Sequence, residues 1–139
     1  MTTIINAVSG TGLTQTADGS GIVKLQSNGT TTNALAWVNF DGTLTTPITP
    51  RANYNCSSVT KNGTGDYTLN FTNTLSDANY APAMMCQYAT DAGSVNGHMA
   101  EISRKTAPTT SALRVETMSV GGGITQRDLA RINIIVFGN

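Results

Sequence analysis

The sequence predicts an all-β protein, an antiparallel β-sandwich preceded by a short N-terminal β-arm, and three observations carry that reading. In "DYTLNFT" (66–72), Tyr67, Leu69 and Phe71 alternate with Thr68, Asn70 and Thr72, the period of two that buries one face of a strand and wets the other. Short runs rich in Val, Ile, Thr and aromatic residues recur with Gly, Pro, Asn and Asp between them, the rhythm of a sandwich or barrel. Helical spacing is confined to "TQRDLARI" (125–132), where Leu129 and Ile132 stand three apart just before a β-branched strand, so one turn at most is expected there.

Residues 1–33 form the arm. Its pieces, such as "TIINAV" and "GIVKLQ", are short and separated by glycine-rich stretches, and they cannot close a core alone. Ile4, Ile5, Val8, Ile22, Val23 and Leu25 must therefore be buried against the rest of the chain, other copies or a larger assembly. Residues 34–139 form the sandwich module. In "ALAWVNF" (34–40), Leu35 and Trp37 share one face while Ala36, Val38 and Phe40 take the other, so both faces are covered and Trp37 belongs to the core with Tyr67, Leu69 and Phe71.

Pro47 and Pro50 exclude a central strand from "DGTLTTPITP" (41–50). "RANYNCSSVT" (51–60) and "DYTLNF" (66–71) are joined by "NGTG", in which Asn62, Gly63 and Gly65 suit the positive φ of a tight turn. The product is a hairpin with an outward face of hydroxyls and amides. "NYAPAMMCQYA" (79–89) has Pro82 marking an edge or bulged start, and "HMAEISRK", "ALRVETMSV" and "RINIIVFG" complete the strands. "GGG" at 121–123 is a bend, because no strand-to-helix context makes it a phosphate cradle.

The chain has 139 residues, enough for one core, and only 12% are charged, with eight basic against eight acidic side chains. Such a chain has no basic field to hold a phosphate backbone, so nucleic acid is not an expected partner. No apolar run approaches the ~20 residues of a membrane helix, and "MTTIINAVSG" lacks the pattern of a secretory signal. The expectation is no membrane insertion and synthesis without a cleaved leader. The Asn-x-Ser/Thr triplets at Asn28, Asn55, Asn62 and Asn70 are then chance matches in an Asn- and Thr-rich chain.

Little chemistry is visible. His98 is the lone histidine and has no identifiable partners for nucleophilic catalysis. Glu101 and Glu116 lie on strands that can be neighbours, as a glycosidase would need, but Arg104 and Arg114 on the same stretches account for them as ion pairs. Asp18, Asp41, Asp66, Asp77 and Asp91 read as turn residues, Cys56 and Cys86 as free thiols, and no metal site, cofactor or catalytic set is expected. In the hairpin loop, Asn62 and Thr64 are the candidate contact residues, competing with a purely structural turn.

"ALAWVNFDGT" (34–43), "RANYNCSSVTKNGTGDYTLNF" (51–71), "DANYAPAMM" (77–85) and "INIIVFGN" (132–139) together resemble the distal β-module of tail-fibre and related virion proteins of tailed bacteriophages. The leading "AVSGTGLTQTADGSGIVKLQSNGTT" (7–31) is similar to the start of other phage structural proteins. The pattern departs at Pro47 and Pro50, and at Cys56, where an aliphatic residue is common. The resemblance implies a non-enzymatic virion protein that forms a homotrimer through its arms, binds other tail or capsid proteins, and displays the module for attachment to a host surface glycan or receptor. A capsid decoration protein that stabilises the shell, cement or head knob, is the alternative, and a glycan depolymerase is a second.

Overall fold

The computed structural model describes residues 26–27, 30–31, 33–88 and 97–138, and over these the protein is all-β, in antiparallel sheets and without a helix. Ile4, Ile5, Val8, Ile22, Val23 and Leu25 of the arm lie outside the described residues. In chain order the strands are β1 (Gln26–Ser27), β2 (Thr30–Thr31), β3 (Ala34–Phe40), β4 (Ala52–Tyr54), β5 (Cys56–Gly63) and β6 (Asp66–Phe71). They continue as β7 (Ala81–Gln87), β8 (Gly97–Ile102), β9 (Ala112–Val120), β10 (Ile124–Gln126) and β11 (Arg131–Phe137). β1 pairs with β2 alone. The first main sheet runs β4-β3-β11-β7, and the second joins β5, β6, β9, β8 and β10.

Within the second sheet β9 has three partners, and Thr117 explains how. Its N–H donates to the Gly65 carbonyl at 2.8 Å and its carbonyl accepts from the Arg127 N–H at 3.0 Å. Both groups of one strand residue point to the same edge. β6 and β10 therefore lie end to end along one edge of β9, and β8 takes the other. The single helical turn expected over 125–132 is absent: β10 occupies its start, and Leu129 and Ile132, both fully buried, are spaced by an irregular stretch entering β11.

The inner faces of both sheets feed one core. Val38, Phe40, Ile132, Ile134 and Val136 come from the first sheet, and Val59, Tyr67, Leu69, Phe71, Leu113 and Val115 from the second. Phe40 and Tyr67 meet edge to face at 5.2 Å, and Phe71 and Tyr80 do so at 5.8 Å.

The run 51–60, which reads as one strand, is two. Asn55 adopts φ 51° and breaks it, so that β4 pairs in the first sheet and β5 in the second. Asn tolerates this left-handed backbone better than most residues because its short amide can bond locally. Here the amide nitrogen donates to the carbonyls of Leu35 at 3.1 Å and Asn73 at 3.2 Å, and its oxygen accepts from the Asn73 N–H at 2.8 Å.

Trp37 corrects the sequence reading: it is not a core residue and is 38% exposed. Strict alternation put Leu35 beside it, but β3 and β11 change register between Val136, opposite Ala36, and Phe137, opposite Ala34. Leu35 is the extra residue of that bulge and turns inward with Ala36, while Trp37 stays on the outward face.

In the hairpin turn, Gly63 pairs with Asp66, leaving Thr64 and Gly65 at the tip, and only Gly65 has positive φ, at 63°. A Cβ on Gly65 would sit 2.4 Å from the Thr117 carbonyl oxygen, whereas one on Gly63 would meet open space. Gly65→Ala is therefore expected to lose at least about 1–3 kcal/mol from backbone strain alone. Gly63→Ala should be neutral or stabilising by up to ~1 kcal/mol. Urea midpoints of the two variants test this, and equal losses would contradict the turn geometry.

Candidate functional site

The outward face of the second sheet begins as a ladder of neutral polar groups. Asn70 donates from its amide to the hydroxyls of Ser58 at 3.0 Å and Thr60 at 3.2 Å, and Ser57 donates to the Asn70 carbonyl. Asn62 donates to the Thr68 hydroxyl at 2.9 Å and to Asp66 Oδ1 at 3.2 Å. The two residues singled out as a contact loop thus differ: Asn62 is committed to its own sheet, and Thr64 projects at the exposed tip.

Further along the same face, one row of the sheet carries three acids, Asp66 opposite Glu116 and Glu116 opposite Glu101. Cations neutralise them. Arg114 clamps Asp66 with two bonds, Nε to Oδ1 at 2.8 Å and Nη2 to Oδ2 at 2.7 Å. Lys105, on the loop after β8, bridges Asp66 at 2.8 Å and Glu116 at 3.1 Å, and Ser103 donates to Glu116 Oε1 at 3.2 Å. Arg104 lies 3.5 Å from Glu101. The neighbouring strands expected for Glu101 and Glu116 are present, but Glu116 is 2% exposed and Arg114 serves Asp66. Asp66 is a buried ionic anchor and not a turn residue. A cleft of about 440 Å³ beside this cluster is lined by Arg104, Lys105, Glu116, Met118, Ile124 and Gln126.

The hairpin is tied to the stretch before β11 through Asp128. Its Oδ2 accepts from Lys61 at 2.7 Å, and its Oδ1 accepts from the Gly65 N–H at 2.8 Å and the Tyr67 hydroxyl at 2.7 Å. Burial pushes the Asp128 carboxyl up, but the bonds from Lys61, Gly65 and Tyr67 outweigh it and the net shift is down. Burial and the same carboxylate drive the Tyr67 hydroxyl far above its ordinary range. Lys61 spends its remaining donors on the carbonyls of Gly42 at 3.1 Å and Leu44 at 3.5 Å.

The outward face of the first sheet carries large apolar side chains and almost no charge. Register places Tyr54, Trp37, Ile135 and Ala83 in one row across β4, β3, β11 and β7. The next row is Ala52, Asn39, Asn133 and Met85, with the two amides hydrogen-bonded to each other. On the other side lies Phe137, with Ala34 and Ala81. Trp37, Ile135 and Phe137 are about two-fifths exposed and Met85 is 75% exposed. Arg131, paired with Gln87 at the sheet's end, is the only charged side chain on the strands of this face.

His98 stacks on Tyr88 with ring centroids 5.3 Å apart, and the Arg127 guanidinium lies 4.4 Å from the Tyr88 centroid. Three chain segments meet there. Cys56 and Cys86 are both free thiols, and burial raises Cys56 to about 11. No group of side chains suited to a metal occurs among the described residues. Set against known proteins, the chain matches no family model, no curated protein and no solved structure.

The bonds from Arg114, then Lys105 and Asn62, hold the Asp66 carboxyl far below the usual carboxylate range against the opposing effect of burial. A depressed folded-state value stabilises fully above the unfolded value of about 3.9 and is lost as pH falls through the folded value. Asp66→Asn is expected to cost about 3 kcal/mol near neutral pH. The gap from the parent should shrink progressively below about pH 4. Denaturant midpoints across that range check it, and a constant gap would contradict the ionic assignment.

Proposed function

We propose that this chain is a virion structural protein of the tail-fibre type from a tailed bacteriophage. In this reading it is a β-sandwich module on a short N-terminal arm, trimeric through the arm and displayed on the particle for contact with a host surface glycan or receptor. The observation that carries the reading, beside the resemblance in the strand and hairpin motifs, is the unlike chemistry of the two outer faces. One carries hydroxyls and amides that bond to one another and acids paired with cations, with Met99, Val120 and Ile124 exposed towards its β10 end, which suits a surface facing water or a host. The other presents Trp37, Tyr54, Ile135, Phe137 and Met85 with a charge only at its end, which suits assembly with other protein.

Depolymerase chemistry has less support. Its acid and base would be Glu101 and Glu116, and Glu116 is buried and engaged by Lys105 and Ser103. Glu116 borders the cleft, but Glu101 stands beside it on the adjacent strand and does not line that cleft, so no second carboxylate faces Glu116 across it.

Gold-labelled antibody against the folded module, applied to intact particles, tests the proposal. Label at the tail or its fibres is the expected result. Label spread over the head would move the protein to the capsid-decoration class, and absence from purified particles would overturn the virion assignment.

A further inference from the structure

We infer that the outward face of the β4-β3-β11-β7 sheet is the docking surface for the N-terminal segment, residues 1–25, of this chain or of a neighbouring copy. The inference deepens the reading of that segment as an assembly element by naming the surface that receives it.

The face and the segment match chemically. The face is built from Tyr54, Trp37, Ile135, Ala83, Phe137 and Met85, and in its outer row Asn39 and Asn133 are joined by an amide–amide hydrogen bond. The segment offers Ile4, Ile5, Val8, Ile22, Val23 and Leu25 and carries only Asp18 and Lys24 as charged side chains. With Val23 and Leu25 turned to the sheet, alternation points Lys24 away from it, so no charge is buried unpaired.

They also match in size. Four strands at ~4.8 Å spacing make the face about 19 Å wide, and its three rows span roughly 14–20 Å along the strands, so it offers on the order of 300–400 Å². A second module packed flat against it would bury about half of the ~800 Å² per partner of a stable interface. An extended stretch needs about six residues at ~3.3 Å each to cross 19 Å. "SGIVKL" (20–25) has that length, and in an extended stretch its Val23 and Leu25 share one face while Ile22 and Lys24 take the other.

The path of the chain leads to the same surface. The segment leads through β1 and β2 into β3, whose first residue, Ala34, stands opposite Phe137 at one border of the face. The chain therefore reaches the sheet at the apolar end of this surface, away from Arg131.

Trp37 is the only tryptophan and lies in the middle row, so its emission reports the face directly. In full-length protein, acrylamide quenching of Trp37 should be several-fold weaker than in a Val23→Asp/Leu25→Asp variant, with emission shifted to the blue. Loss of shielding on dilution of the parent would assign the covering segment to a neighbouring copy. Shielding that survives dilution would assign it to the same chain, and both outcomes support the inference. Equal quenching of parent and variant would overturn it, as would shielding that arises only when an oligosaccharide is added. Because the variant can lose its fold, a photo-cross-linking residue at position 23 of the otherwise native chain provides the second measurement. Cross-links to peptides holding Trp37, Tyr54 or Ile135 are expected, and cross-links confined to other surfaces would overturn the inference. Neither readout depends on where the protein sits on a particle, so failure of the virion proposal would leave both results standing.

Discussion

The left-handed backbone at Asn55 is the constraint on which the two-sheet architecture rests. A single β-favouring run would otherwise continue in one sheet, and the corner at Asn55 sends its first half to β3 and its second half to β6. The amide that makes this conformation tolerable also satisfies the Leu35 and Asn73 carbonyls, so the corner stitches the start of β3 to the chain leaving β6. Once the corner is set, Val38 and Phe40 face Val59, Tyr67 and Leu69, and the core follows.

The second closure is ionic. Asp128 draws together Lys61, Gly65 and Tyr67 from the hairpin, and Lys61 extends the tie to the Gly42 and Leu44 carbonyls. Each of these polar groups sits at the rim of the core, where a bond to a charged partner is worth roughly 1.5–3 kcal/mol and an orphaned one costs as much. The Asp66 cluster does the same work on the outward side, fastening the loop that carries Ser103 and Lys105 over β6 and β9. The large apolar groups outside the core lie on both outer faces, Trp37, Met85, Ile135 and Phe137 on the first sheet and Met99, Val120 and Ile124 on the second.

What could be read from the sequence depended on whether the signal was local. The 58–71 hairpin was legible because Tyr67, Leu69 and Phe71 keep strict alternation and the turn residues sit between two β-favouring runs. Asn55 was hidden because a single Asn between Tyr54 and Cys56 is a weak break signal in a run that otherwise favours strand. Trp37 was misplaced because alternation grouped it with Leu35, and the bulge turns Leu35 alone into the core while Trp37 stays on the outward face. Asp66 looked like a turn residue because its partners, Lys105 and Arg114, are 39 and 48 residues away. A turn aspartate and a buried ionic anchor are identical in local sequence. Asn62 and Thr64 were found as a pair, yet only Thr64 is left facing outward without a bond to the hairpin's own side chains.

These features converge on one claim: the first sheet's outer face is covered in the working protein and the second's is not. Hydroxyl-radical footprinting with mass spectrometry measures this through two methionines. Met85 lies on the first face and is 75% exposed in the isolated chain, while Met99 lies on the second face and is 38% exposed. An uncovered module would oxidise Met85 faster than Met99. The account predicts the reverse order in the native full-length protein, with Trp37 protected alongside Met85, and oxidation of Met85 ahead of Met99 would contradict it.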